Sequence, residues 1–97
     1  MFELNQSAID ELQARFPEWS WGPKVKSDIM GFSKDYAKCC DLYVSATEYP
    51  GLGFIAACRT EGAPKRLRRK FATGRAPDAV TAGIEAVEAL LQEIKNA

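Results

Sequence analysis

The chain contains no histidine anywhere in its 97 residues. That absence removes the Ser-His-Asp triad, histidine general acid–base work and the commonest metal ligand. Cysteine is scarce. The three present are Cys39, Cys40 and Cys58, an odd count with two adjacent, which makes a poor disulfide framework. No Cys-x-x-Cys pair occurs, so the zinc and thioredoxin signatures are missing as well. No apolar run approaches the roughly 20 residues that span a bilayer, so no membrane partner is expected. Charge of one sign is not in excess: 13 basic and 13 acidic residues cancel, and net charge points to no partner. The leading MFELNQSAIDELQ is acidic and amphipathic, unlike a secretory signal.

What is there is ordinary globular material. A hydrophobic fraction of 46% with 27% charged residues is close to the average for folded domains, and the length suits one domain over 1–97. Cys40 and Cys58 sit in apolar stretches, where an unoxidised cysteine behaves as a small hydrophobe. A reducing, cytoplasmic setting is the expectation. The carboxylates are scattered and no spacing singles out a pair. No catalytic residue, metal ligand, cofactor or small-molecule substrate is therefore assigned, and the chain is not expected to be an enzyme.

The first element is an amphipathic helix over 7–16. Leu4, Ala8, Ile9, Leu12 and Phe16 recur at three- and four-residue steps, Ser7 and Asp10 stand in capping-box spacing, and Pro17 ends it. Residues 18–47 read as extended. Trp19, Trp21 and Val25 alternate with polar residues, and Gly22-Pro23 bends or edges that strand. Asp28–Lys38 is polar and reads as a loop. Cys40, Leu42, Val44 and Ala46 then alternate with Asp41, Tyr43, Ser45 and Thr47, a half-buried strand. Tyr49-Pro50-Gly51-Leu52 suits a type II turn. Phe54–Cys58 is apolar on both faces, as in a central strand. After a second turn at 60–64, residues 65–73 read as a further strand ending at Gly74. Pro77 and Asp78 open a helix of about 18 residues, with Val80, Ile84, Val87, Leu91 and Ile94 on one stripe. The order predicts a two-layer α+β domain, α-β-β-β(-β)-α, with an antiparallel sheet and both helices on one face.

Charge breaks the average in one place. Lys65, Arg66, Arg68, Arg69, Lys70 and Arg75 hold six of the 13 basic residues, and residues 65–75 contain no acid. As a strand, 65–71 would point Leu67 and Phe71 inward and Arg66, Arg68 and Lys70 outward. Such a row suits phosphates or carboxylates, which arginine holds bidentately. It also suits an edge strand that must repel other strands. Among the aromatics, Trp19 and Trp21 share a face and read as core. Tyr43 alternates out of the buried set and is the candidate for the surface.

The element order resembles the double-stranded-RNA-binding domain over most of 7–94. That family binds phosphates with lysines opening its last helix. Here the stretch is Ala76-Pro77-Asp78-Ala79-Val80, so the resemblance implies the topology alone. Gly53–Leu91, with Arg66, Arg68, Lys70 and Phe71-Ala72-Thr73 before an alanine-rich helix, is similar to the Apetala-type DNA-binding module, which implies a basic sheet facing a groove. Tyr49-Pro50-Gly51 and the Ala79–Leu90 helix resemble HicB-type antitoxins, which implies a regulator. Small size and one charged edge are similar to phage and prophage accessory proteins, including anti-CRISPR inhibitors, which implies occlusion of a partner surface.

Together these predict a non-enzymatic binding protein docking nucleic acid or an acidic host protein or ribonucleoprotein surface through 65–75, with Tyr43 nearby. A phage-type inhibitor that binds by shape and an antitoxin-like regulator are the alternatives.

Overall fold

The computed structural model describes residues 6–23, 28–34, 40–61 and 71–95. In chain order they form α1 (Gln6–Arg15), β1 (Trp19–Pro23), β2 (Ile29–Ser33), β3 (Asp41–Tyr49), β4 (Gly53–Glu61), β5 (Phe71–Ala76) and α2 (Ala79–Lys95). The strands make one antiparallel sheet in sequential order, β1-β2-β3-β4-β5. Both helices lie on one face of it. The two-layer α+β arrangement is the one the sequence predicts, with five strands where three or four were legible. No helix among the described residues is long and apolar enough to cross a membrane.

The additional strand is β2, inside the stretch that reads as a loop. Its alternation is broken by Gly31, and Trp21 explains that glycine. A Cβ at Gly31 would lie 2.7 Å from the Trp21 ring, so the bare backbone is where the indole rests. Trp21 pairs directly with Gly31 across the β1–β2 ladder. Both tryptophans are buried, as their shared face predicts. Their indole nitrogens are satisfied by backbone, Trp19 Nε1 donating to Cys40 O and Trp21 Nε1 to Phe16 O, each at 3.0 Å. A buried indole N–H without such a partner would be costly.

The core lies between sheet and helices. It is built from Ala8 and Leu12 of α1, the inward residues Leu42, Val44, Ala46, Ala56 and Cys58 of β3 and β4, and the inner side of α2. Cys40 and Cys58 are fully buried thiols, as expected. The β3–β4 turn also forms as expected. Leu52 N donates to Tyr49 O at 2.9 Å, and Gly51 has φ 79°, the positive value that position of a type II turn requires.

Two readings are corrected. The final strand runs from Phe71 to Ala76, so Gly74 lies inside it rather than ending it. A Cβ at Gly74 would lie 2.4 Å from Ala82 O and 2.5 Å from Ala86 N, so the glycine lets α2 settle directly on β5. That seating turns the helix. Its buried residues are Ala79, Ala82, Gly83, Ile84, Ala86, Val87 and Leu90, while Val80, Leu91 and Ile94 are only partly buried. The centre of the buried face is the small-residue side and Leu90, not the Leu91 stripe.

The start of α2 is also refined. Asp78 sits just before the helix. Its Oδ2 accepts from Thr81 N at 2.8 Å, and its carbonyl accepts from Ala82 N at 3.1 Å. Those bonds make Asp78 the N-cap.

Candidate functional site: the open sheet face

Alternation along the strands assigns the face opposite the helices. Trp21, Gly31 and Leu42 stand in register on the covered side. Their neighbours Met30, Tyr43, Arg59 and Phe71 form one cross-strand row on the other side. Ser45, Ala57 and Thr73 make the next row, and Thr47, Ile55 and Arg75 the one after. The helices cover none of these rows, although Met30 is itself buried. Three large hydrophobics stand exposed on this face: Phe71 at 61%, Phe32 at 50% and Tyr49 at 44%.

Of the residues singled out from sequence, Tyr43 and Arg75 lie on this face. Arg75 is exposed on β5. Tyr43 is half-buried and engaged from two sides. Its hydroxyl donates to Asp28 Oδ2, and the Arg59 guanidinium lies over its ring at 4.4 Å, a cation–π contact. Arg59 Nε in turn reaches Glu61 Oε1 at 2.9 Å. The hydrogen bond to Asp28, then burial and the Asp28 charge, raise the phenol above its ordinary pKa, with Arg59 opposing. Tyr43 is therefore a neutral donor at physiological pH. It anchors the Asp28–Tyr43–Arg59–Glu61 chain rather than standing ready to stack.

Lys65, Arg66, Leu67, Arg68, Arg69 and Lys70 lie outside the described residues. Phe71, expected to point inward, is instead the most exposed large hydrophobic named above, because the strand begins at Phe71 and its register with Arg59 puts it on the open side. The structure thus pairs Arg59 with Phe71 across β4 and β5, and places Arg75 on the same face two rows further along β5. Sequence reasoning passed over Arg59, although it alternates with buried Cys58 and Thr60 and so had to point outward.

Acids share the face. Asp41 accepts from Ser33 N at 2.8 Å, and Asp28 and Glu61 flank Tyr43. Asp28 and Asp41 lie on the β2–β3 side and Arg75 on β5, while Arg59 and Glu61 are paired on β4 between them. Among the described residues no group of three metal-ligating side chains comes together. Two shallow hollows border β5. One is lined by Leu52, Gly53, Arg75, Ala76 and Pro77, the other by Ile55, Thr73, Gly74, Arg75, Glu85 and Ala89.

Comparison with protein families, with curated proteins and with solved structures returns no match for this chain.

Proposed function

We propose that this chain is a non-enzymatic binding protein of a reducing, cytoplasmic compartment, docking an anionic partner on the β4–β5 side of its open sheet face. One observation carries the reading. Both helices lie on one face, and the other carries the Arg59–Phe71 pair and, two rows further along β5, Arg75, on the two strands between which the sequence inserts Lys65, Arg66, Arg68, Arg69 and Lys70. Exposed guanidinium groups beside an aromatic ring suit phosphates and carboxylates. The partner is nucleic acid or the acidic surface of a host protein or ribonucleoprotein.

A second reading has its own support. Asp28, Asp41 and Glu61 occupy the same face, and acids repel a phosphate backbone. A mixed face of this kind suits occlusion of a protein surface, as a phage-type inhibitor of the anti-CRISPR style or an antitoxin-like regulator would do.

The test is binding against salt, with pull-down from host lysate before and after nuclease. Nucleic-acid docking predicts steep salt dependence and nuclease-sensitive capture. A protein partner predicts nuclease-resistant capture. On the expectation from sequence that they point outward, changing Arg66, Arg68 and Lys70 together to glutamate should leave the melting temperature within a few degrees and should abolish binding. If phosphates are contacted, each lost cation should flatten the salt slope by about one unit. A triple variant that binds normally but aggregates would mean that the cations only keep other strands away from an edge.

A further inference from the structure

The two edges of the sheet are finished differently. At β1 backbone groups of Trp19 and Trp21 are taken by a side chain of α1. Gln13 Nε2 donates to Trp19 O and Trp21 N donates to Gln13 Oε1, both at 3.1 Å. One amide side chain of α1 thus imitates a neighbouring strand, and Pro23 closes the element. At β5 no described residue pairs with the outer edge. The strand, Phe71-Ala72-Thr73-Gly74-Arg75-Ala76, has no proline, no acid and one cation. Edges kept alone usually carry such devices.

Space lies beside this edge. A groove of about 450 Å³ wraps it, lined by Ile55, Thr73 and Arg75 from the open face, by Gly74, and by Glu85 and Ala89 from the outer flank of α2. The fold also narrows the occupant. Because α2 rests on Gly74 itself and lies across β5 and β4, anything added to this edge meets the α2 flank. A strand without its own helix fits under the α2 flank. On the open side its residues would meet Thr73 and Arg75, favouring acids. On the helix side they would meet Gly74, Ala89 and Glu85, favouring small uncharged residues.

We infer that the β5 edge and the α2 flank form a strand-addition site for an extended acidic peptide segment of a protein partner, alternating acids with small apolar residues. Backbone hydrogen bonds to β5 supply affinity, and Arg75 supplies the preference for acid. The inference rests on the anionic-docking reading and names the partner class for it.

The experiment is an amide NMR titration of the full chain with a capped hexapeptide alternating glutamate with alanine. Shifts should concentrate at 72–75 and at Glu85 and Ala89, leaving β1 unmoved. Methylating every second peptide nitrogen should abolish binding in one phase of the alternation and spare it in the other, as only one phase faces β5. Arg75→Glu should weaken the glutamate peptide about three- to tenfold and transfer preference to its lysine counterpart. Ala89→Arg should fill the groove, with the unliganded spectrum confirming the fold. Shifts on the open face that ignore methylation would overturn strand addition and leave anionic docking standing. So would a response to a single-stranded oligonucleotide with none to peptide. Silence toward both probes would remove both readings.

Discussion

At the scale of single residues, two side-chain decisions set the end of the molecule that carries α2. Asp78 caps the helix, and its hydrogen bonds from Thr81 hold its carboxyl below the ordinary aspartate pKa. Asp78→Ala should cost about 1 kcal/mol, measured by urea denaturation at neutral pH. Because the folded pKa is lowered, the carboxylate's contribution is fully present above the unfolded value near 3.9. It fades as pH falls below that value through the folded pKa. The gap between wild type and Asp78→Ala should therefore be constant from pH 5 to 7 and shrink below about pH 4. A gap that widens in acid would contradict the cap. Gly74 is the second decision. Alanine there would bring a methyl to 2.4 Å from Ala82 O. The backbone entropy gained from replacing glycine, about 0.4–1 kcal/mol, is outweighed by the lifting of α2, an overpacking cost of about 1–3 kcal/mol. A drop in melting temperature is expected, and an unchanged value would mean that the helix seat is soft. Asp78 was legible because an acid beside proline marks a helix start. Gly74 was not, because a glycine after basic residues looks the same whether it ends a strand or makes room for a helix.

At the scale of elements, alternation and helical period located most pieces, and packing decided their details. β3 was legible because from Asp41 to Thr47 each inward residue is apolar and each outward one polar. β2 was not, because Gly31 serves the Trp21 ring on another strand, and a single-strand pattern cannot show a partner's needs. The α2 stripe was legible as a period and misjudged in phase. Large aliphatics drew the reading toward Leu91, while contact with Gly74 favours the small-residue side and buries Leu90 completely. The correction is measurable. Leu90→Ala should cost about 2–5 kcal/mol, Leu91→Ala distinctly less, and Glu88→Ala on the exposed side no more than about 0.5 kcal/mol. Chemical denaturation of the three variants gives the order directly, and a larger loss at Leu91 would restore the original phase. By the same logic Phe71→Ser should change stability little, since the ring is mostly in solvent.

At the scale of the whole molecule, what was legible is the side packed under the helices, and what was not is the side facing away from them. Burial repeats every two or four residues and leaves a trace in the sequence, whereas Arg59 and Phe71 become neighbours only through strand register. The core also makes a claim about cooperativity. The buried cluster runs without a break from Ala8 and Leu12, past Trp19 and Trp21, through β3 and β4 to Val87 and Leu90. The tryptophans report on the α1–β1 end, and helix content is dominated by α2, 17 residues against 10 in α1. Cys58 sits on β4, between those ends, and is fully buried. If the cluster unfolds as one unit, tryptophan fluorescence, far-ultraviolet ellipticity and modification of a thiol at Cys58 should share one urea midpoint, as two-state domains do. Native modification of Cys58 should be slow, since burial denies reagent access. Its rate should rise only as the other two signals move. Fluorescence lost at lower urea than ellipticity would show α1 and β1 leaving first, and would divide the chain into two cooperative parts. Fast native labelling of Cys58 that leaves both spectra intact would mean that β4 opens locally, which the continuity of this core does not allow.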